Sequence, residues 1–207
     1  MKKIFFFSNN KNKLNEISDM FYKTDFKILS LNSFSNLKIP KETGITFEEN
    51  AKIKSLYGLK KTNIPCFADD SGFCIKSLKN FPGIKSKRFI EENNGVENTL
   101  KVIMDKTKNL QNKEAYFKTS ISFSFNDSTS IFNGLVMGKI SEKPRGNGGF
   151  GYDPIFIPNG YNKTFAEMEL EQKNKISHRF IAINKFKKYL IKLLKQNSFA
   201  IWNFQNI

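Results

Sequence analysis

Two adjacent carboxylates, Asp69 and Asp70, directly follow an apolar stretch of the chain and precede Ser71 and Gly72. Adjacent carboxylates repel each other and are tolerated best beside a cation. The pair is therefore a candidate for metal binding and for activating a water molecule. The same residues also suit an Asx-type turn before Gly72. Taken alone, the pair leaves both interpretations open.

A polar loop, "SNNKNK" at 8–13, separates a predicted first strand from a predicted helix. Backbone N–H groups and the helix dipole attract phosphate at a helix N-terminus, and Lys13 would add a positive charge there. A solvated helix cap is an equally good interpretation of these residues. The loop is thus a candidate phosphate site that needs support from elsewhere in the chain.

A glycine-rich stretch, "RGNGGFGYDP" at 145–154, contains the G-x-G-x-x-G pattern of dinucleotide-binding and kinase loops. A dinucleotide site requires a helix after the last glycine, but Pro154 favours extended geometry at Asp153 and "IFIP" continues as a strand. The later kinase motifs and the lysine of a P-loop are also absent from the sequence. What remains is Phe150 between glycines, which suits stacking on a flat base unless it folds into the core of a hairpin turn.

A basic stretch, "EQKNKISHR" at 171–179, collects Lys173, His178 and Arg179 around a predicted helix start, with Ser177 as the N-cap. Cationic side chains near a helix N-terminus oppose the helix dipole. The arrangement therefore costs stability unless an anionic or electron-rich ligand compensates. The alternative, a basic surface turn, is the weaker interpretation.

The composition favours a folded globular protein, because 39% of the 207 residues are hydrophobic and 22 are phenylalanine. No apolar run approaches the roughly 18 residues of a membrane span, and the apolar stretch at 4–7 is shorter than the ~7–15 residues of a signal-peptide core. We therefore expect a cytoplasmic protein without membrane association. Cys66 and Cys74 are too few for a disulfide framework or a zinc site, and we interpret both as small apolar residues. The net charge of +15 comes from scattered lysines, so no specific nucleic-acid partner is expected.

Hydrophobic periodicity predicts alternating strands and helices, and therefore an α/β fold with a mixed sheet. Thr46 and Glu49 have the spacing of a capping box at the start of a helix. The predicted helices lie at 13–23, 46–60, 97–108 and 177–195. The predicted outer strands lie at 3–8, 26–31 and 154–158.

The central strands are predicted to form two antiparallel pairs. The strand at 65–72 is expected to end in a turn at the two aspartates, so that 73–78 pairs back against it. The segments 115–125 and 128–140 alternate well and predict a long hairpin around Asn126-Asp127. The segment at 81–89 is expected to be irregular.

Seven stretches, in order along nearly the whole chain, resemble the inosine triphosphate pyrophosphatase family, which hydrolyses non-canonical purine nucleoside triphosphates. They are "SNNKNK" at 8–13, "ETGITFEENAKIKS" at 42–55, "ADDSG" at 68–72, "FPGIKSKRF" at 81–89, "GGFGYDPIF" at 148–156, "KTFAEM" at 163–168 and "EQKNKISHR" at 171–179. The resemblance implies an elongated, two-lobed α/β fold with a mixed sheet and a central cleft, and a homodimer. It also implies Mg²⁺-dependent cleavage of ITP, dITP or XTP to the monophosphate and pyrophosphate. We expect one domain over 1–195 and an apolar tail at 196–207 that packs on the body or on a dimer partner.

The resemblance gives each matching residue of the first half of the chain a role. Asp70 would be the catalytic and metal-binding carboxylate, Asp69 would support it, and Ser71 would contact substrate. Lys54 would act beside them on the triphosphate. The first loop would hold the triphosphate through Ser8, Asn9, Asn10, Lys11, Asn12 and Lys13.

The second half of the chain would bind the base. Phe150 would stack on the purine, and Lys173, His178 and Arg179 would read its edge. Gly151, Tyr152 and Asp153 would complete the wall beside the ring.

Two positions depart from the family pattern. The first loop usually reads Thr-Gly-Asn, whereas Asn9 occupies the glycine position here; asparagine tolerates positive φ better than most residues. Lys41 stands where the family usually has a metal-binding glutamate, and a protonated lysine cannot ligate Mg²⁺. Either Glu42 or Glu49 takes over as ligand, or Mg²⁺ arrives mostly on the triphosphate; of these, Glu42 is the residue we assign beside Asp70.

Overall fold

The first apolar residues form a strand that is fully buried at Ile4, Phe5 and Phe6. The computed structural model of the protein describes residues 2–34 and 37–195. The described chain divides into two compact units. The first consists of residues 2–34, 37–69, 120–133 and 182–195, and the second of residues 70–119 and 134–181.

Strands and helices alternate along the chain, as predicted. The strands are β1 (Lys2–Phe6), β2 (Phe26–Leu29), β3 (Cys66–Ile75), β4 (Phe81–Pro82), β5 (Glu114–Phe125), β6 (Ser128–Ile140) and β7 (Phe156–Pro158). The helices are α1 (Lys11–Phe21), α2 (Phe47–Thr62), α3 (Ser86–Glu92), α4 (Val96–Thr107), α5 (Leu170–Ile176) and α6 (His178–Lys195). The strands form one mixed sheet in the order β2-β1-β3-β5-β6-β7, with β4 paired to β3. The predicted α/β class is confirmed.

The first unit is built on parallel pairing around β1. Phe5 of β1 lies opposite Leu29 of β2 and opposite Cys66 of β3. Phe67 of β3 is the centre of the core: its ring lies 4.7 Å from that of Phe6 and 5.0 Å from that of Phe186 on α6. Burial of each such side chain contributes about 1.5–3 kcal/mol, so α6 is held on the sheet mainly by its apolar face.

The second unit has its own aromatic core. Phe73 of β3 contacts Phe117 of β5 at 5.1 Å and Phe156 of β7 at 6.0 Å between ring centroids. β4 pairs antiparallel with β3, and β7 pairs antiparallel with β6. This core supports the loops that follow β6 and β7.

The local signals for caps and for the long hairpin are confirmed. Asn126, at the hairpin turn between β5 and β6, has a positive φ of 51°. Thr46 Oγ1 accepts the backbone N–H of Glu49 at 3.1 Å, and the Glu49 carboxylate accepts the N–H of Ile45 at 2.7 Å. Ser177 Oγ accepts the N–H of Phe180 at 3.1 Å, so Ser177 caps α6 as predicted.

The predicted turn at the two aspartates is wrong, because β3 runs without interruption through Asp69, Asp70 and Gly72. A strand tolerates a buried carboxylate when a cation offsets its charge, and the Lys13 ammonium lies 2.8 Å from Asp69 Oδ2. The uninterrupted strand also excludes an Asx turn before Gly72. The segment 73–78 therefore does not fold back, and the antiparallel partner of β3 here is β4.

Two smaller predictions also differ from the structure, and one short helix was not predicted. The segment 81–89 is ordered as β4, a 3-10 turn and the start of α3 rather than being irregular. Asp153 is not extended before Pro154 but begins a 3-10 turn, in which the Ile155 N–H donates to the Tyr152 carbonyl at 3.1 Å. The last predicted helix, at 177–195, is confirmed as α6, whereas α5 before it was not predicted.

Both cysteines are buried and free, as the sequence indicates. Burial raises the pKa of the Cys74 thiol to about 11 and raises the pKa of the Cys66 thiol well above its ordinary value. Across 2–34 and 37–195, no helix is long and apolar enough to cross a membrane. The predicted packing of 196–207 concerns residues outside the described part of the chain.

Candidate functional site

The first loop is shaped by its own polar side chains. Asn10 is the N-cap of α1, and its side-chain oxygen accepts the N–H of Lys13 at 3.2 Å. Ser8 Oγ accepts the N–H of Asn10 at 3.3 Å. Asn9 is not among the residues with positive φ, so this loop does not require glycine there. The helix-cap interpretation is therefore confirmed, and the cap presents the positive end of α1 beside Asn9, Lys11 and Asn12.

Each of the two lysines predicted to bind phosphate is held by a carboxylate of the same unit. Lys13 Nζ lies 2.8 Å from Asp69 Oδ2, and Asp69 is only 2% exposed. Lys54 Nζ, on α2, lies 2.7 Å from Glu42 Oε1. These pairs hold the two ammonium groups in defined positions, which lowers the entropy cost of binding an anion.

The two predicted metal ligands, Asp70 and Glu42, belong to different units. Within the two described stretches, no group of three or more His, Cys, Asp and Glu side chains is arranged to hold a metal ion. Mg²⁺ is commonly bound by one or two carboxylates plus substrate phosphates, and each of these two carboxylates has the ligand chemistry of that mode. The Glu49 carboxylate, by contrast, already accepts the Ile45 N–H in the capping box at the start of α2.

Asp70 is buried in β3, in the second unit, with 8% of its surface exposed. Its Oδ1 accepts the backbone N–H of Ser71 at 3.0 Å. A carboxylate oriented in this way can accept a proton from a water molecule, which is the chemistry that the sequence predicts for it.

The glycine loop and the basic stretch meet at Asp153. Asp153 Oδ2 accepts the N–H of Phe150 at 2.7 Å and the ammonium of Lys173 at 2.6 Å. Lys173 Nζ lies 4.8 Å from the centre of the Phe150 ring, and Arg179 Cζ lies 5.7 Å from it. The half-buried Phe150 is not part of the core cluster of its unit, so the alternative of a core phenylalanine is wrong.

The alternative of a basic surface turn is also wrong. Lys173, His178 and Arg179 are 4%, 6% and 3% exposed. A buried cation requires a partner that offsets its desolvation, and the Asp153 carboxylate and the Phe150 ring serve Lys173 in that way. The three basic residues therefore belong to the interior of the second unit.

Two of the predicted base-binding residues are integrated into the core. The Tyr152 hydroxyl donates to the Ser86 carbonyl at 2.8 Å, and the Tyr152 ring stacks on Phe73 at 5.0 Å. Burial raises the pKa of the Tyr152 hydroxyl above its ordinary value. His178 stacks on Phe117 at 4.8 Å with an interplanar angle of 12°. Their contact with substrate, like that of Gly151, stays a prediction.

The residues that anchor the glycine loop were not predicted from the sequence. Gly148 N–H donates to the Ala166 carbonyl at 3.0 Å, and a Cβ at Gly146 would overlap the same backbone. A hydrogen bond from the Thr164 N–H lowers the pKa of the Glu167 carboxylate, which also lies 3.4 Å from an Arg145 nitrogen. The repeated glycines were the available signal, because three of them, 146, 149 and 151, have positive φ.

Gly149→Ala is expected to disrupt this loop, whereas Gly160→Ala serves as a matched control. Both glycines have positive φ, 70° and 84°, so alanine costs about 1–2 kcal/mol of strain at either position. Only at Gly149 would the new Cβ also overlap Asp153 Oδ2, while nothing lies within 4 Å at Gly160. We expect an additional loss of about 1–3 kcal/mol for Gly149→Ala, measured by denaturant unfolding. Equal losses in the two variants would show that the position of the Asp153 side chain does not require glycine at 149.

The fold and these residues define a class: an α/β protein with carboxylate-held lysines in one unit and, in the other, a buried carboxylate and a cation-flanked aromatic ring. The Ham1 family model matches residues 4–189. The chain belongs to the Ham1 family.

Similar proteins cover almost the whole chain. A dITP/XTP pyrophosphatase of Christiangramia forsetii is 39% identical over 190 residues, which is 92% of this chain and 100% of the relative. A dITP/XTP pyrophosphatase of Borreliella burgdorferi is 42% identical over 203 residues, covering 94% and 98%. The solved structure of the Staphylococcus aureus Ham1 protein matches with a TM-score of 0.85 and 38% identity, covering 92% of this chain and 99% of that one. The resemblance stated from the motifs is confirmed.

Proposed function

We propose that this chain hydrolyses the purine nucleoside triphosphates ITP, dITP and XTP to the monophosphate and pyrophosphate. The names of the relatives support the substrate class. The observation that carries the proposal is the group around Phe150, in which a half-exposed aromatic ring is flanked by the buried cations Lys173 and Arg179.

The Phe150 group suits a 6-oxopurine. Hypoxanthine and xanthine carry an oxygen acceptor at the position where adenine carries an amino donor. The N–H donors of Lys173 and Arg179 favour the oxygen, and an adenine amino group would leave them facing another donor. Asp153 holds Lys173 and the Phe150 backbone together, so ring stacking and edge recognition depend on one carboxylate.

The triphosphate is assigned to the first loop and to Lys54. Ser8 and Asn10 shape the N-terminus of α1, and Lys13 and Lys54 supply positive charge. An ammonium group has three N–H donors, so Lys13 and Lys54 can donate to phosphate oxygens while Asp69 and Glu42 still hold them in place.

Hydrolysis is assigned to Asp70, which would accept a proton from the water that attacks the α-phosphorus. No covalent nucleophile is required, because pyrophosphate is a good leaving group when its charge is neutralised. Mg²⁺, when bound, would neutralise the triphosphate and the departing pyrophosphate. Asp70 and Glu42 are the residues that would hold it.

The test is product analysis with a panel of nucleoside triphosphates. We expect Mg²⁺-dependent release of pyrophosphate from ITP, dITP and XTP, much slower release from ATP and GTP, and loss of activity when the metal is chelated. Guanine shares the 6-oxo group, so slower release from GTP would depend on its 2-amino group. Orthophosphate and a nucleoside diphosphate as first products would contradict the reaction assigned. Binding of nucleic acid with a steep salt dependence, and no turnover of any triphosphate, would replace the enzyme proposal altogether.

We also propose that the protein is a cytoplasmic homodimer. The family resemblance supports the dimer, and two free, buried thiols are compatible with a reducing compartment. Light scattering of the purified protein would measure the oligomeric state, and a monomer at all concentrations would contradict the dimer.

A further inference from the structure

A buried threonine on β5 donates a hydrogen bond to one of the predicted substrate residues. Thr119 is 0% exposed, and its Oγ1 donates to Ser71 Oγ at 2.9 Å. The two residues lie on β5 and β3, which are neighbours in the sheet. Hydroxyl bonds of this kind between neighbouring strands contribute to sheet stability, but this one ends on a half-buried residue next to Asp70.

The direction of this bond determines what the Ser71 hydroxyl can do. A serine hydroxyl has one hydrogen and two acceptor sites. Since Ser71 Oγ accepts the hydrogen of Thr119, its own hydrogen is directed at a different acceptor. The backbone N–H of the same residue donates to Asp70 Oδ1 at 3.0 Å. Ser71 thus connects the Thr119 hydroxyl to the carboxylate assigned as the base.

Other buried hydroxyls of β5 have partners of a different kind. Ser122 and Ser124 bond to Ser55 of α2 at 2.7 and 2.8 Å, and none of these three is predicted to touch a ligand. Thr119 is therefore distinguished by the position of its partner rather than by burial alone.

We propose that Thr119 is a positioning residue for hydrolysis. It holds Ser71 in the rotamer in which the Ser71 hydroxyl donates to a phosphoryl oxygen of the triphosphate. This inference rests on the proposed function. It adds to it a residue that touches neither the substrate nor the metal.

The first experiment compares Thr119→Val with Thr119→Ser. Valine keeps the shape and the β-branched preference for a strand but cannot donate, whereas serine keeps the donor. We expect Thr119→Val to lower kcat/KM for ITP by roughly 2- to 12-fold, the range for one neutral hydrogen bond. Thr119→Ser should stay within about twofold of wild type on the same basis. Wild-type activity in Thr119→Val would overturn the proposal.

The second experiment separates positioning from general stability. Ser71→Ala should cause a loss similar to that of Thr119→Val, and the double variant should be no worse than Ser71→Ala alone. A threonine with a merely structural role would lower activity by the same factor in either background. Multiplying losses in the double variant would therefore overturn the proposal.

A binding measurement keeps this test independent of turnover. Calorimetry with inorganic tripolyphosphate should show weaker binding to Thr119→Val than to wild type and to Thr119→Ser. If wild type releases no pyrophosphate from any nucleoside triphosphate, the proposed function fails while this comparison still tests Thr119. Equal affinity of wild type and Thr119→Val, including no binding by either, would overturn the positioning role.

Discussion

Asp70→Asn is expected to lower kcat for ITP by about 10²–10⁴-fold while leaving the protein folded. The substitution removes the negative charge that accepts a proton from water and that would hold Mg²⁺. The side-chain oxygen of asparagine can still accept the Ser71 N–H, so this hydrogen bond is kept. The loss should therefore appear in turnover and not in the unfolding midpoint.

Asp127→Asn is the matched control for this variant. Asp127 lies exposed in the turn between β5 and β6, so the same chemical change there should alter neither kcat nor stability. The measurement is initial pyrophosphate release at saturating ITP over a range of Mg²⁺ concentrations. Full activity of Asp70→Asn would overturn the assignment of this carboxylate as the base.

Lys173→Met is expected to lower the free energy of unfolding by about 3–5 kcal/mol, because it removes the cation that neutralises a buried carboxylate. The side chains of Lys173 and Asp153 are 5% and 4% exposed, and their charged groups lie 2.6 Å apart. Methionine keeps most of the length and apolar volume of the lysine stem, so little packing is lost. The loss of stability therefore measures the cost of leaving the buried Asp153 charge without its cation.

Lys175→Met offers a control on the same helix. Lys175 forms an ion pair with Glu171 of the same length, 2.6 Å, but the two side chains are 65% and 83% exposed. Exposed pairs contribute little, so we expect a change below about 1 kcal/mol. Chemical denaturation of both variants measures the difference. Equal losses would show that burial does not determine how much the Lys173–Asp153 pair contributes to the free energy of unfolding.

A double variant tests the reason for the effect. Lys173→Met combined with Asp153→Asn removes both charges, so it should recover part of the stability that Lys173→Met loses. Neither variant should regain selectivity for ITP over ATP, because each removes a group that positions the base-reading cations or Phe150. If the double variant recovered selectivity as well as stability, Lys173 would be required for stability but not for recognition of the base.

Local features of the fold could be predicted because they depend on a few neighbouring residues. Thr46 and Ser177 were identified as caps from short spacings, and the β5–β6 hairpin from alternation around Asn126. The seven motifs also identified the family, because each depends on only a few neighbouring residues and all occur in the same order as in the family. Local reasoning failed at Asp69 and Asp70, where two carboxylates and a glycine favour a turn.

The fold class, most helices and strands, the family and the residue types of the candidate site could all be predicted from the order of residues alone. Which charges offset one another became evident only once the elements were packed together. Lys13 reaches Asp69 and thereby lets β3 continue, and Asp153 joins Phe150 to Lys173. The physical reason is that a buried charge is stable only beside its partner, and these partners come from separate elements. Their proximity is therefore set by packing and cannot be inferred from local preference.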